Sequence, residues 1–279
     1  MPLIVETFGL SDVGRVREIN EDNFLCWNLG SPGSEGPSSF FLLGVADGIG
    51  GHAGGAVASG TAVEVVKGDL MEWAAVGPRP DVKAALAAVF QRANRQIFER
   101  AAATPELAGM GTTLVAAVVD GGAVTIANVG DSRAYQVRDG RLLQITRDHS
   151  WIAEQRRRNS LSERDLRNSP FKSMITRSLG FHETVEVDIY TVEAAEDDVL
   201  LFCTDGLYGP LPEKRILKII KHKKNPKDIC PALVQTAKEI RGDDNITAVA
   251  ALFRGNSRGR KAALFDTVRL GPRPKDDVS

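Results

Sequence analysis

The sequence predicts an α+β domain built on antiparallel sheet, and three observations carry that prediction. Two apolar runs, Phe41-Leu42-Leu43-Gly44-Val45-Ala46 and Val199-Leu200-Leu201-Phe202-Cys203-Thr204, have the length of buried strands, and each closes on an Asp-Gly pair. Strand-like runs then come in groups: strands, two long helical patterns, four short strands, then helices again, which is not the rhythm of βαβ units. Two further Asp-Gly pairs, Asp120-Gly121 and Asp139-Gly140, lie between strand-like runs, as hairpin turns do.

In chain order, Glu6 to Leu10 and Asn23 to Asn28 read as strands around the polar segment Ser11 to Asp22. Leu29 to Ser39 is rich in Gly, Ser and Pro and reads as a surface loop. Phe40 to Ala46 is the first buried strand. Ala56 to Trp73 has helical spacing, and an Ala-rich amphipathic pattern from Asp81 to about Ala103 predicts a second helix. Thr112 to Val119, Ala123 to Val129, Ser132 to Arg138 and Arg141 to Ile145 predict an antiparallel meander. His149 to Leu179 turns polar and helical, an excursion from the core. Strands at Thr184 to Val192 and Val199 to Thr204 precede helices at Pro212 to Lys221 and Pro226 to Arg241, and Ile246 to Phe253 closes the domain.

At 279 residues, with 43% hydrophobic and 25% charged content, the chain is an ordinary soluble globular composition. A net charge of −1 and the lack of a basic stripe give nucleic acid no footing as a partner. Cys26, Cys203 and Cys230 share no metal or redox spacing, which reads as a reduced setting. The N-terminus lacks a secretory pattern, and no apolar run approaches the roughly 20 residues that cross a bilayer. The expectation is a cytoplasmic monomer with no membrane attachment. Residues 1–253 are expected to form one domain. The tail 254–279 carries seven Lys or Arg against three Asp and reads as disordered, either a terminus with no role or a docking segment with Leu264, Phe265 and Val268 as anchors.

Five acidic segments fall beside strand ends: Glu21-Asp22, Asp47, Asp131, Asp205 and Asp243-Asp244. Gathered carboxylates repel unless cations neutralise them. Oxygen-only donors select hard ions such as Mg2+ or Mn2+, and two such ions about 3.5–4 Å apart activate water and clamp a phosphoryl group. Other phosphatase chemistry is absent. Six positions after each cysteine stand Pro32, Gly209 and Thr236, not the arginine of a cysteine phosphatase, and there is no Gly-Lys-Ser/Thr phosphate loop.

Ser11-Asp12-Val13-Gly14-Arg15-Val16-Arg17-Glu18-Ile19-Asn20-Glu21-Asp22 resembles the opening motif of metal-dependent serine/threonine protein phosphatases of type 2C, the PPM family, in its bacterial form. Ala46-Asp47-Gly48-Ile49-Gly50-Gly51-His52, Gly111-Thr112-Thr113, Gly130-Asp131-Ser132-Arg133, Thr204-Asp205-Gly206-Leu207 and Asp244-Asn245-Ile246-Thr247 follow in the family's order. Each motif alone is weak; six in order are specific.

The resemblance implies a four-layer αββα sandwich of two antiparallel sheets flanked by helices. It implies hydrolysis of phosphoserine and phosphothreonine in proteins by a water bridging two metal ions, Mn2+ or Mg2+, with a third ion as an option, in opposition to a serine/threonine kinase. Asp47 would bridge both ions and the Gly48 carbonyl would bind one; Glu21 would serve the second, and Asp205 and Asp244 the first. Asp22 would hold water around the ions, and Asp131 with Asp205 matches a third site. Arg17 matches the phosphate-binding arginine and His52 the general acid. His149, His182 and His222 match no motif and read as structural or solvated.

The chain departs from the family at Asn168-Ser169-Pro170-Phe171-Lys172-Ser173-Met174-Ile175-Thr176-Arg177, where relatives carry His-Pro and Asn in the flap, and at Thr204, where serine is common. Two rival readings are a silent phosphoprotein-binding module and a two-metal hydrolase of small phosphoesters or nucleic acid. The complete acidic set opposes the first.

Overall fold

The computed structural model describes residues 3–30, 40–50, 53–75, 81–158 and 161–255. In chain order these form β1 (Leu3–Asp12), β2 (Asn23–Asn28), β3 (Phe40–Ala46), β4 (Gly48–Ile49), α1 (Ala53–Ala75), α2 (Val82–Ala103), β5 (Gly111–Thr112), β6 (Leu114–Asp120), β7 (Ala123–Val129), β8 (Arg133–Arg138) and β9 (Arg141–Gln144). There follow α3 (Trp151–Arg158), α4 (Glu163–Asn168), β10 (Asp188–Glu193), β11 (Val199–Cys203), α5 (Asp205–Tyr208), α6 (Glu213–His222), α7 (Pro226–Ile240) and β12 (Ile246–Gly255).

Two five-stranded antiparallel sheets result, ordered β1-β12-β11-β8-β9 and β10-β7-β6-β3-β2, with β4 and β5 as a small separate ribbon. Period-two alternation explains why both faces of each sheet are buried. In β11, Leu200 and Phe202 point to the core between the sheets, while Val199, Leu201 and Cys203 point outward to a second core. In β3, Phe41, Leu43 and Val45 face the other sheet; Phe40, Leu42 and Ala46 face helices.

The outer cores are closed by amphipathic helices. On α2, buried Leu86, Val89, Phe90, Ala93 and Ile97 recur at helical spacing, and Asp81 caps its start by accepting from the Lys83 N–H. On α1, Ala58, Ala62, Val66 and Leu70 make the matching stripe. Across the molecule, α6 and α7 cover the other sheet through Ile216, Ile220, Ile229 and Leu233. The layering is αββα, as the resemblance implied.

The expected meander is split between the sheets. β6 pairs with β7 and β8 with β9, but β7 and β8 belong to different sheets. Gly130 makes the crossing at φ 109°, where a Cβ would come within 2.5 Å of the Thr113 Cβ. Only glycine fits there. The Asp139-Gly140 pair is a hairpin turn, with φ of 49° and 73° between the paired Arg138 and Arg141.

Other differences are matters of extent. β1 pairs with β12 along its whole length, from Leu3 opposite Gly255 to Asp12 opposite Ile246, so the last strand outruns Phe253. The anchors foreseen at Leu264, Phe265 and Val268 lie outside the described residues. No helix among the described residues is long and apolar enough to cross a membrane.

Candidate active site

The five acidic segments cap neighbouring strand ends. Asn23 pairs with Ala46, Val45 with Val115 and Leu114 with Val129, so Glu21-Asp22, Asp47 and Asp131 flank one end of the β10-β7-β6-β3-β2 sheet. In the other sheet Cys203 stands opposite both Arg133 and Ala248, which brings Asp205 and Asp244 to the same end. Strand ends hold these carboxylates on rigid backbone.

Asp22 is buried and links the sheets. Its Oδ2 accepts from Thr204 Oγ1 at 2.8 Å and Thr247 Oγ1 at 2.6 Å. Thr204 therefore engages Asp22 through its hydroxyl. Asp47 is held through its backbone: its carbonyl accepts from Thr112 Oγ1 at 2.8 Å and the Thr113 N–H at 2.9 Å, and its N–H donates to Thr113 Oγ1 at 3.1 Å. Thr113 also shares a 2.8 Å hydrogen bond with Ser132, tying Asp47's turn to Asp131's. Gly48 is required by close approach, since a Cβ there would meet the Gly55 carbonyl at 2.3 Å and the Glu21 carbonyl at 2.7 Å.

The electrostatics follow from crowding. Burial first, then the charges of Asp22, Asp205, Asp131 and Asp244, raise the Asp47 carboxyl well above the usual range. Burial, with smaller contributions from Asp205 and Asp244 and against the two threonine hydrogen bonds, pushes Asp22 up to about 7. Asp131 also rises to about 7, through burial and then Asp205 and Asp148. Asp205 is raised by burial and Asp244, and its hydrogen bond with Asp47 partly offsets this. Such mutual penalty is what a positive charge would relieve.

Glu21 is also buried, with its N–H on Asn245 Oδ1 at 2.9 Å. Asp244 is turned to its own neighbours: Oδ1 lies 3.0 Å from Arg17 Nη2 and accepts from the Asn245 N–H at 3.0 Å. Asp243, beside it, pairs with Arg241 instead. Among the described residues, no three His, Cys, Asp or Glu side chains close around one point as a metal site does. The carboxylates are gathered rather than converged. The donor set still fits a hard divalent cation, being oxygen throughout: Glu21, Asp47, Asp131, Asp205, Asp244 and the Gly48 carbonyl. His52 lies outside the described residues. A cavity of about 710 Å3, lined by Arg138, Asp198, Lys221 and Arg254 among others, sits at the far ends of β8, β11 and β12 and shares no residue with this centre.

A family model described as protein phosphatase 2C matches residues 6–246. The chain belongs to the protein phosphatase 2C family. Among relatives of this protein phosphatase 2C member, the serine/threonine phosphatase stp of Listeria welshimeri is 36% identical over 253 residues, 91% of this chain and 98% of that protein. The solved serine/threonine phosphatase of S. agalactiae superposes with a TM-score of 0.80 at 30% identity, over 89% of this chain and 99% of that one. The catalytic domain of the serine/threonine phosphatase PstP, solved in complex with 2 manganese ions, gives 0.74 at 31% identity, over 91% and 100%.

Several residues that organise this phosphatase site went unassigned in the sequence. Asn245 donates to the Val13 and Ile19 carbonyls at 3.0 Å each, so one buried amide shapes the loop that carries Arg17. Ser59 on α1 donates to the Glu21 carbonyl. Arg133 grips Asp148 through two nitrogens and lies 3.7 Å over the Tyr208 ring, and Tyr208 donates to the Asp131 carbonyl at 3.0 Å. Thr112, Thr113, Arg133 and Asn245 stand inside the six motifs, so their place was visible though their role was not. Ser59 and Tyr208 carried no signal.

Proposed function

We propose that this chain hydrolyses phosphoserine and phosphothreonine in proteins, using Mn2+ or Mg2+ as cofactor. The observation that carries the reading is the gathering of mutually repelling carboxylates, buried or half-buried, at one end of the sandwich, with Arg17 beside Asp244. Two divalent ions held there would supply an activated water and a clamp on the phosphoryl oxygens. In this assignment Asp47 would serve both ions, Gly48 would offer its carbonyl to one, Glu21 would serve the second, and Asp205 and Asp244 the first. Asp22, positioned by Thr204 and Thr247, orients water by accepting its hydrogen bonds. Asp131 together with Asp205 is a site for a third ion.

Arg17 binds the phosphate, since a guanidinium fork matches two phosphoryl oxygens. His52 protonates the departing serine or threonine oxygen. The substrates are phosphoproteins, including a cognate serine/threonine kinase and its targets, which makes the protein a cytoplasmic, monomeric component of signal transduction. Its catalytic domain is the sandwich, assigned to residues 1–253.

The test is release of phosphate from a phosphothreonine peptide with added Mn2+ or Mg2+ and again in excess chelator. Turnover with the metals and none in chelator is expected. Full turnover in chelator, or none with either metal, overturns the reading.

A further inference from the structure

The excursion between β9 and β10 leaves and rejoins the sandwich beside the Asp131 turn, and one buried imidazole stands at that junction. His149 is 5% exposed. Its backbone N–H donates to the Gly130 carbonyl at 3.1 Å, and its carbonyl accepts from the Thr176 N–H at 2.9 Å. Its ring closes the circuit: Nδ1 accepts from the Gly130 N–H at 3.0 Å. The Gly130 N–H occupies Nδ1, so the neutral ring carries its proton on Nε2, which lies 3.0 Å from Arg177 Nη1 and 3.3 Å from Asp188 Oδ2, the acceptor it can reach. Asp188 in turn accepts from Arg177 Nη1 at 2.7 Å and from Tyr190 at 3.0 Å.

The turn it holds needs anchors. Gly130 crosses between sheets at positive φ and has no side chain, and the next residue is a half-buried carboxylate pressed by Asp205. That turn is fixed by Thr113 on Ser132, Tyr208 on the Asp131 carbonyl, Asn128 Nδ2 on the Gly130 carbonyl, and His149, whose backbone N–H and Nδ1 both engage Gly130. Only the last comes from the excursion. The other end of the excursion also reaches the site, since Leu179 exchanges backbone hydrogen bonds with Thr112, whose hydroxyl donates to the Asp47 carbonyl.

We propose that His149 is a positioning residue for the phosphatase reaction: through Nδ1 it locks the Gly130-Asp131-Ser132 turn to the base of the excursion and so sets Asp131 against Asp205. This rests on the function proposed above. The chemistry needed from His149 is a hydrogen-bond acceptor at the Nδ1 position. Asparagine can place its Oδ1 there; glutamine, whose amide reaches the Nε2 position, cannot.

The experiment compares His149→Ala, His149→Asn and His149→Gln with the natural chain, using Mn2+ and a phosphothreonine peptide. His149→Ala and His149→Gln are expected to lose about 10- to 100-fold in kcat, the usual cost of removing a partner that orients a metal ligand, with KM changing less. His149→Asn should recover most of that loss. Nitrogen-15 NMR of the natural chain in chelator, which does not depend on activity, should show Nδ1 unprotonated and Nε2 protonated, with the Gly130 amide shifted in His149→Gln and near its natural position in His149→Asn. Equal kcat in the Asn and Gln variants, or a proton on Nδ1, overturns the proposal; if His149→Ala does not fold, the Asn and Gln pair and the NMR still decide. A natural chain with the expected tautomer but no turnover would overturn the phosphatase reading instead.

Discussion

Arg17 Nη2 lies 3.0 Å from Asp244 Oδ1, so the arginine read as the phosphate ligand is paired with a carboxylate read as a cation ligand. Both side chains are well exposed, at 48% and 37%, and such a pair adds little to stability. Its importance is positional: the pair sets the proposed phosphate ligand and a proposed cation ligand side by side.

Arg17→Ala should therefore leave Tm almost unchanged and raise KM for a phosphothreonine peptide by about tenfold or more, the scale of a charge-assisted hydrogen bond. Arg17→Lys should recover only part of this, because an ammonium lacks the two-pronged geometry. Steady-state kinetics on the two variants check it. Unchanged KM in Arg17→Ala would remove the arginine from the phosphate site.

Asp47→Asn should abolish turnover without harming the fold. Burial and the charges of Asp22, Asp205, Asp131 and Asp244 hold the Asp47 carboxyl well above its ordinary range, so neutralising it relieves repulsion in the metal-free chain. Thermal melting in chelator should give a Tm equal to or above that of the natural chain. A clear fall in Tm, or retained activity at saturating Mn2+, would contradict the assignment.

Stability should depend on pH in an unusual direction when metal is withheld. Asp22 and Asp131 titrate at about 7 in the folded chain against an ordinary 3.8. Folded values above unfolded ones mean the folded chain binds more protons between about pH 4 and pH 7, so stability falls as pH rises through that window. In chelator, Tm should be higher at about pH 5.5 than at about pH 8, and saturating Mn2+ should remove or reverse the difference. Melts at both pH values, with and without Mn2+, measure this; a higher Tm at the alkaline value in chelator would contradict it.

At the far end of the sandwich the sign is the opposite. Burial would raise the Asp198 carboxyl, but hydrogen bonds from Arg138, the Ala195 N–H and Gln136 outweigh it and hold it low. A folded value below the unfolded one gives stability that is present above about pH 4 and lost as pH falls further. Asp198→Asn should cost about 2 kcal/mol at neutral pH, in the range for hydrogen bonds to a buried charge. The deficit should shrink in acid, and kcat should not change. Urea midpoints at neutral and acid pH decide it.

The order of elements, the buried strands and the acidic residues at their ends were all legible along the chain. Each rests on short-range chemistry: unbroken apolar runs of strand length, helical spacing after Asp81, and Asp-Gly pairs too close to a core strand to be plain turns. The αββα layering was legible too, but only through the six motifs taken together, because a strand apolar on both faces does not say which sheet it joins. That is why the four-strand meander was expected whole, when Gly130 in fact carries the chain from one sheet to the other.

The working contacts were decided in three dimensions. Asp22 meets Thr204 and Thr247 across 182 and 225 positions, Glu21 meets Asn245 across 224, and Gly130 meets His149 across 19. Local pattern specifies which face a side chain takes and how a turn bends. Which distant hydroxyl, amide or imidazole satisfies a buried polar group depends on how the sheets stack, and stacking is set by the summed fit of three cores rather than by any one segment.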